Sequence, residues 1–358
     1  MTRLIEILIS LAIVAALFLV VGLVLPSSRY LVERVETNRK QTIVFDTLNN
    51  FSRFRDWNAT ALRDPKMKTS LAGPASGVGA TFQYDSATIG KGSWKIVKSE
   101  PNELISIDIT DDRMGTDKRT EFKLKPTGNN NRNVEIAQSY KVNYGWNLFG
   151  RYAGLYVRSH VGDDMKFGLA KLTNMLASVP NIDYSVYGDK LTGLAVAEIP
   201  SEHLLFVPAG TLEFDDAIIE KSMRANMEWI TRNMAANGLV AAGPMRIVTS
   251  EQGRETYTFD VAQPVRKASE AEGAAASGEL TGLSLQGPVK YQLLPARRAV
   301  TGKFIGYIRE LENVRNALRA WSAPRGYEVT DRPYEVYNTG IDGAFKEDGQ
   351  FTAYWMVK

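Results

Sequence analysis

The sequence predicts an α+β protein: an N-terminal transmembrane helix, then two soluble domains in which antiparallel strands carry a few helices. Three observations lead there. Residues 7–25 are apolar and uncharged, residues 80–142 break into short strands divided by turn formers, and later stretches repeat apolar residues at helical spacing.

The first element is a membrane span over residues 4–25. A helix made of the 19 uncharged residues 7–25 is roughly 28 Å long at 1.5 Å per residue, close to the apolar core of a bilayer. A cleaved signal peptide is the alternative, but the run is long for one, and Pro26, Ser27, Ser28 and Arg29 offer no small-x-small cleavage site. A retained span makes this a single-pass protein of the cell membrane. Arg29, Arg34, Arg39 and Lys40 follow the span and only Arg3 precedes it, which favours a cytoplasmic body. The short head before the span is also that of an ordinary signal anchor, which would send the body outward.

The rest of the 358 residues is too long for one typical domain, so two are expected. With 43 basic and 40 acidic side chains the net charge is +3, and no dense Lys/Arg tract marks nucleic acid as a partner. Cysteine is absent, and His160 and His203 are the only imidazoles. That removes thiolate nucleophiles, zinc sites of the cysteine type and multi-histidine metal sites, and leaves a Ser-His-Asp triad few ways to form. No metal or cofactor is expected, and no residue is assigned a catalytic role. Gly77-Val78-Gly79 lacks the third glycine of a dinucleotide loop, and residues 282–286 lack the last glycine of a nucleophile elbow.

The first domain covers residues 29–179. Residues 30–38 alternate as a strand, and Phe45, Leu48 and Phe51 mark a short helix. Trp57 and a polar loop through Asp64-Pro65 follow. Strands are expected at 80–84, 93–99, 103–109, 120–125 and 134–142, an antiparallel meander. A long helix over 148–178 closes the domain, with Phe149, Tyr152 and Tyr156, then Met165, Leu169, Leu172 and Leu176, on one face. With Val32-Glu33-Arg34, Val44-Phe45-Asp46 leading to Trp57, Gly77-Val78-Gly79 and residues 164–169, this order resembles the helix-grip fold of the START-like, polyketide-cyclase (SRPBCC) superfamily. The resemblance implies a cavity between a curved sheet and the long helix, used by relatives for lipids, polyketides and other apolar ligands. It does not imply catalysis.

The second domain, residues 183–358, repeats itself once. In the first copy a strand at 198–207 leads to a helix carrying Ile219, Met223, Met227, Ile230 and Met234, then strands at 244–249 and 256–261. In the second, strands at 289–294 and 299–305 lead to a helix with Leu311, Val314, Leu318 and Trp321, then strands at 333–338 and 351–357. A β-α-β-β unit used twice is the plan, with residues 267–282 a flexible insertion between the copies. Gly326, Pro333-Tyr334-Glu335-Val336-Tyr337 and the aromatic final strand resemble the gyrase-inhibitor-like (GyrI-like, SOUL-type) effector-binding domain. In that family a glutamate of the Pro-x-Glu-x-Tyr strand lies at the floor of an aromatic-walled cleft, which implies a ligand-facing Glu335 with Tyr337 beside it. Period-two geometry independently puts Glu335 and Tyr337 on one strand face. Tyr307, Trp229, Tyr257 and Trp355 complete the expected ligand-binding set. The bland alternative for Glu335 is a solvated carboxylate or an ion pair with Arg246. The final strand, Phe351-Thr352-Ala353-Tyr354-Trp355, departs from relatives that carry a second acidic residue there.

The leading expectation is therefore noncatalytic binding of small apolar or amphipathic molecules, lipids included, near a membrane, for sensing or carriage. A cyclase-like or hydrolase-like enzyme with Glu335 as general base is the runner-up. The third reading is a pair of protein-interaction modules with filled pockets. Cavity volume distinguishes the first two from the third.

Overall fold

A computed structural model describes residues 2–358. It opens with α1 (Thr2–Val24), whose apolar side chains are exposed along its length. A core helix would bury such a surface, so α1 is not the core helix of a soluble domain.

The first unit ends at Asn181. After α1 come β1 (Ser28–Thr37), α2 (Gln41–Leu48), α3 (Phe54–Trp57), α4 (Ala59–Arg63) and β2 (Lys68–Ala72). The meander follows as β3 (Thr81–Ser86), β4 (Gly90–Glu100), β5 (Leu104–Asp111), β6 (Thr116–Thr127) and β7 (Asn133–Asn143). These strands form one antiparallel sheet in the order β1-β7-β6-β5-β4-β3-β2. Strand β2 occupies what the sequence reads as loop; nearly all of it is exposed, so it carries no alternation to detect.

The long closing helix is interrupted. It runs as α5 (Leu148–Ala153), a 3-10 turn at Gly154–Tyr156, a π turn at Arg158–Gly162 and α6 (Asp163–Ala177). The inner face of α6 buries Met165, Leu169, Leu172 and Leu176, as its spacing predicts.

The second unit is Ile182–Lys358. Its elements are β8 (Leu191–Ile199), β9 (Glu202–Glu213), α7 (Asp216–Ala236), β10 (Leu239–Ala241), β11 (Arg246–Gln252) and β12 (Thr256–Lys267). Then come β13 (Lys290–Leu294), β14 (Arg297–Ile305), α8 (Leu311–Ser322), β15 (Tyr334–Tyr337), α9 (Gly340–Ala344) and β16 (Gln350–Met356). The sheet runs β13-β9-β12-β11-β15-β16-β14-β8, with β10 paired to β12. Exchanging β8, β9, β11 and β12 for β13, β14, β15 and β16 turns this order into its own reverse. With β10 set aside, each copy has four strands where the expected β-α-β-β unit has three. The expected strand at 198–207 divides at Pro200-Ser201, matching the Pro295-Ala296 turn of the other copy. Both helices are followed by a glycine at positive φ, Gly238 at 62° and Gly326 at 81°, the left-handed ending that other side chains resist.

Residues 267–282 contain no helix or strand beyond the end of β12. They are nonetheless tied down, because Ala276 exchanges hydrogen bonds with Ser201 and Leu280 N–H donates to Tyr291 Oη at 2.9 Å.

Candidate functional site

In the first unit, side-chain alternation builds an interior that changes character along the strands. Going one way, β5 turns inward Ile105, Ile107, Ile109 and then Asp111; β6 turns inward Leu124, Phe122, Thr120 and then Lys118. Strand β7 adds Ile136, Gln138 and Tyr140. An apolar core therefore ends in polar groups on three neighbouring strands. Asp111 and Lys118 are both buried there, with Nζ 2.5 Å from Oδ1. Lys118 also donates to the Arg113 carbonyl, and Arg113 Nε reaches Asp111 Oδ2 at 3.0 Å. The cluster holds two cations to one carboxylate. Thr120 donates to the Ser139 carbonyl at 2.7 Å and accepts from Gln138 Nε2 at 3.3 Å.

Between this wall and α6 lies a partly open cavity of about 40 Å³. Trp57, Trp94, Ile109 and Met165 form its apolar side; Asp111, Arg113, Gln138 and Tyr140 form its polar side. Burial pushes the Tyr140 phenol above its ordinary value, so it stays protonated and able to donate. Burial also raises the Asp164 carboxyl on α6, against the pull of Arg63, whose Nη2 lies 2.5 Å away. Trp57 keeps its indole N–H buried with no acceptor, a condition that costs about 1–3 kcal/mol. Room for a few waters is available, an order of magnitude below the space a drug-sized ligand needs.

In the second unit, Glu335, Tyr257 and Tyr337 come together as the shared strand face requires, all buried. The cation opposite Glu335 belongs to the chain itself. Arg315, on α8, sends Nε to Glu335 Oε1 at 2.6 Å and Nη2 to Oε2 at 3.2 Å. The expected partner Arg246 is engaged elsewhere: it bonds Glu202 at 2.9 Å and stacks over Tyr334 at 4.3 Å. Thr249 Oγ1 donates to Glu335 at 3.4 Å, and Arg315 Nη1 to Gln252 Oε1 at 2.5 Å. Burial works against the Arg315 charge, but the Glu335 carboxylate and Tyr257 more than offset it, so its pKa lies above the ordinary value. Burial pushes Tyr257 up to about 12 and Tyr337 well above its ordinary value; the Tyr337 hydroxyl has no hydrogen-bond partner.

The other expected aromatics have partners of their own. Tyr307 donates to Asp216, Trp229 stands partly exposed against Gly287 and Arg232, and Trp355 donates to the Asp331 carbonyl at 3.1 Å. A cleft of about 250 Å³ is lined by Arg315, Thr249 and Trp355, and Glu335 is not among its wall residues. A second cavity, of about 150 Å³, is lined by Arg246, Arg297, Arg332 and Tyr334. Among the described residues no cluster of three His, Asp or Glu side chains is placed to hold a metal ion.

The first unit thus sets a part-polar cavity between an antiparallel sheet and an interrupted closing helix. Residues 31–176 of the first unit match the model of the polyketide cyclase / dehydrase and lipid transport family. The match covers less than half of the chain. Solved structures similar to parts of it include the EcmrR C-terminal domain, 21% identical over 46% of this chain and 97% of that one, with a TM-score of 0.34. Truncated norcoclaurine synthase from Thalictrum flavum is 12% identical over 42% of this chain and 94% of its own, with a TM-score of 0.33. CalU16 from Micromonospora echinospora is 16% identical over 42% and 77%, with a TM-score of 0.29. Likeness at this level bears on neither chemistry nor partner. No curated protein sequence matches the chain.

Proposed function

We propose that the protein is a membrane-tethered binding protein whose first unit takes up a small amphipathic molecule without catalysing a reaction. The carrying observation is the buried Asp111–Lys118 ion pair with the half-exposed Arg113 beside it, Asp111 and Arg113 lining the cavity under α6. Buried charge is costly in an interior that hydrophobic side chains would fill more stably, and its surplus cation suits a ligand head group that is anionic or accepts hydrogen bonds. Trp57, Trp94 and Met165 then hold the apolar part. The family match over residues 31–176 supports ligand binding of this kind. The cavity's 40 Å³ is too small for such a ligand, so binding on this reading requires α6 to move out. The π turn just before α6 is the place where its backbone bonds are irregular.

The second unit, on the same reading, is a GyrI-like module whose ligand-facing glutamate is neutralised internally by Arg315; a cationic ligand would have to displace that guanidinium. Helix α1 is a single-pass anchor that concentrates both units at a membrane.

The test is native mass spectrometry of the full chain extracted in a mild detergent. One bound amphiphile per chain is expected, lost in Arg113→Gln and Tyr140→Phe while folding is kept. A chain that carries nothing, or a ligand indifferent to both substitutions, contradicts the reading.

A further inference from the structure

We infer that residues 146–156 lie in the interfacial layer of the bilayer that α1 crosses, as a second point of membrane contact. The inference rests on α1 being an anchor. It starts from the end of α1, whose last carbonyls have no helical N–H to accept. Arg151 fills that role: Nη1 donates to Gly22 O, Leu23 O and Leu25 O at 3.3, 3.0 and 3.3 Å. One turn deeper, Tyr152 stacks on Phe18 with ring centroids 4.6 Å apart and donates to its carbonyl at 2.8 Å, while Phe149 lies 5.3 Å from the same ring. Gly22 permits this approach, since a Cβ there would stand 3.3 Å from both Leu148 and Tyr152. Helix α5 is thereby fastened to the last third of the span. Phe18 precedes Leu25 by seven residues, which is roughly 10 Å along a helix, so its partners reach the depth at which interfacial helices settle.

The same stretch turns its large side chains outward. Trp146 is 84% exposed, Phe149 67%, Tyr156 63% and Leu155 53%. Four such groups within eleven residues form an apolar patch that water disfavours. The patch is continuous with the exposed apolar surface of α1 through Phe18, which commits its occupant to lipid. Tryptophan and tyrosine are the side chains that collect at the head-group level, and Arg151, 5.7 Å from the Trp146 ring, is anchored there with its charge hydrogen-bonded. The ends of β7 and the start of β1 lie at this same end of the sheet, since Ser28 pairs with Asn143. The cavity-wall turn Val161 follows directly in sequence, so lipid contact and cavity share one stretch of chain.

The chain has no cysteine, so single nitroxide labels can be placed on the full chain without removing any native thiol. Labels at Leu17→Cys, Phe149→Cys, Leu155→Cys and, on the far edge strand β2, Leu71→Cys are compared in phosphatidylcholine–phosphatidylglycerol vesicles. All four side chains are more than half exposed, and Leu155→Cys leaves the Phe149–Phe18 contact in place. Collision with oxygen should exceed collision with a water-soluble nickel chelate at 17, 149 and 155, and the order should reverse at 71. An oxygen preference at 17 with nickel preference at 149 and 155 overturns the inference and leaves the anchor standing. Nickel preference at 17 as well overturns both.

Discussion

Both units pack helices on an antiparallel sheet and both bury an ion pair, but the pairs sit in different surroundings. Asp111 stands at the wall of a cavity with Lys118 buried behind it and a third, half-exposed charge on Arg113 beside them. Arg315 and Glu335 are buried beside Thr249, Tyr257 and Tyr337, and the guanidinium is the cation that faces the carboxylate, with the Thr249 hydroxyl donating to it as well. A cavity-wall cluster with surplus charge can respond to a guest, whereas a closed pair is already neutralised. The difference teaches that a buried carboxylate beside aromatics marks a ligand floor only when the chain does not provide its own counter-ion.

The sharpest way to break this contrast is Glu335→Gln. Removing one partner of an enclosed pair leaves an uncompensated charge on Arg315, and the expected cost is about 3–5 kcal/mol. Hydrogen exchange of β15 and α8 measures it, and the double variant Glu335→Leu with Arg315→Met should recover most of the loss. Met165→Ala comes next: it removes a buried side chain from the cavity wall at an expected cost of about 2–4 kcal/mol. The same variant should bind an apolar probe more readily in the first unit, and calorimetric titration checks that. Lys118→Met should cost less, about 1–3 kcal/mol by urea denaturation, because Arg113 still pairs with Asp111.

The smallest effect is a pH dependence in the second unit. Burial holds His203, bonded to Tyr291 at 3.0 Å, below its ordinary value. The unfolded chain therefore binds that proton more readily, so stability is full above about pH 6.5 and falls as pH drops toward the folded value. Melting at pH 7.5 and 5.5 should show the fall, and His203→Gln should lessen it.

Legibility from sequence followed physical signal. The apolar N-terminal helix was readable from its uncharged run, and the meander and the apolar face of α6 because burial repeats at fixed periods there. Lys118 and Asp111 escaped because the expected strands stop at residues 120 and 109, where inward positions turn polar; the strands in fact run on to Thr116 and Asp111. Their signal was present as alternation continued through Phe122, Thr120 and Lys118. Arg315 was likewise readable, since it lies four residues after Leu311 and three before Leu318, on the apolar stripe of α8. A charge in that stripe needs a buried partner, and Glu335 supplies one. The grouping of Tyr307, Trp229 and Trp355 depended on sheet order, which local pattern does not encode.

The central claim is that the first unit, by way of the cavity under α6, is the ligand-responsive one. Hydrogen–deuterium exchange of the full chain in lipid nanodiscs, with and without decanoate, tests it most directly. The account predicts slower exchange in β5, β6, β7 and α6 and none in α8 and β15. Protection confined to α8 and β15, or to the strands around Arg246 and Tyr334, would contradict it.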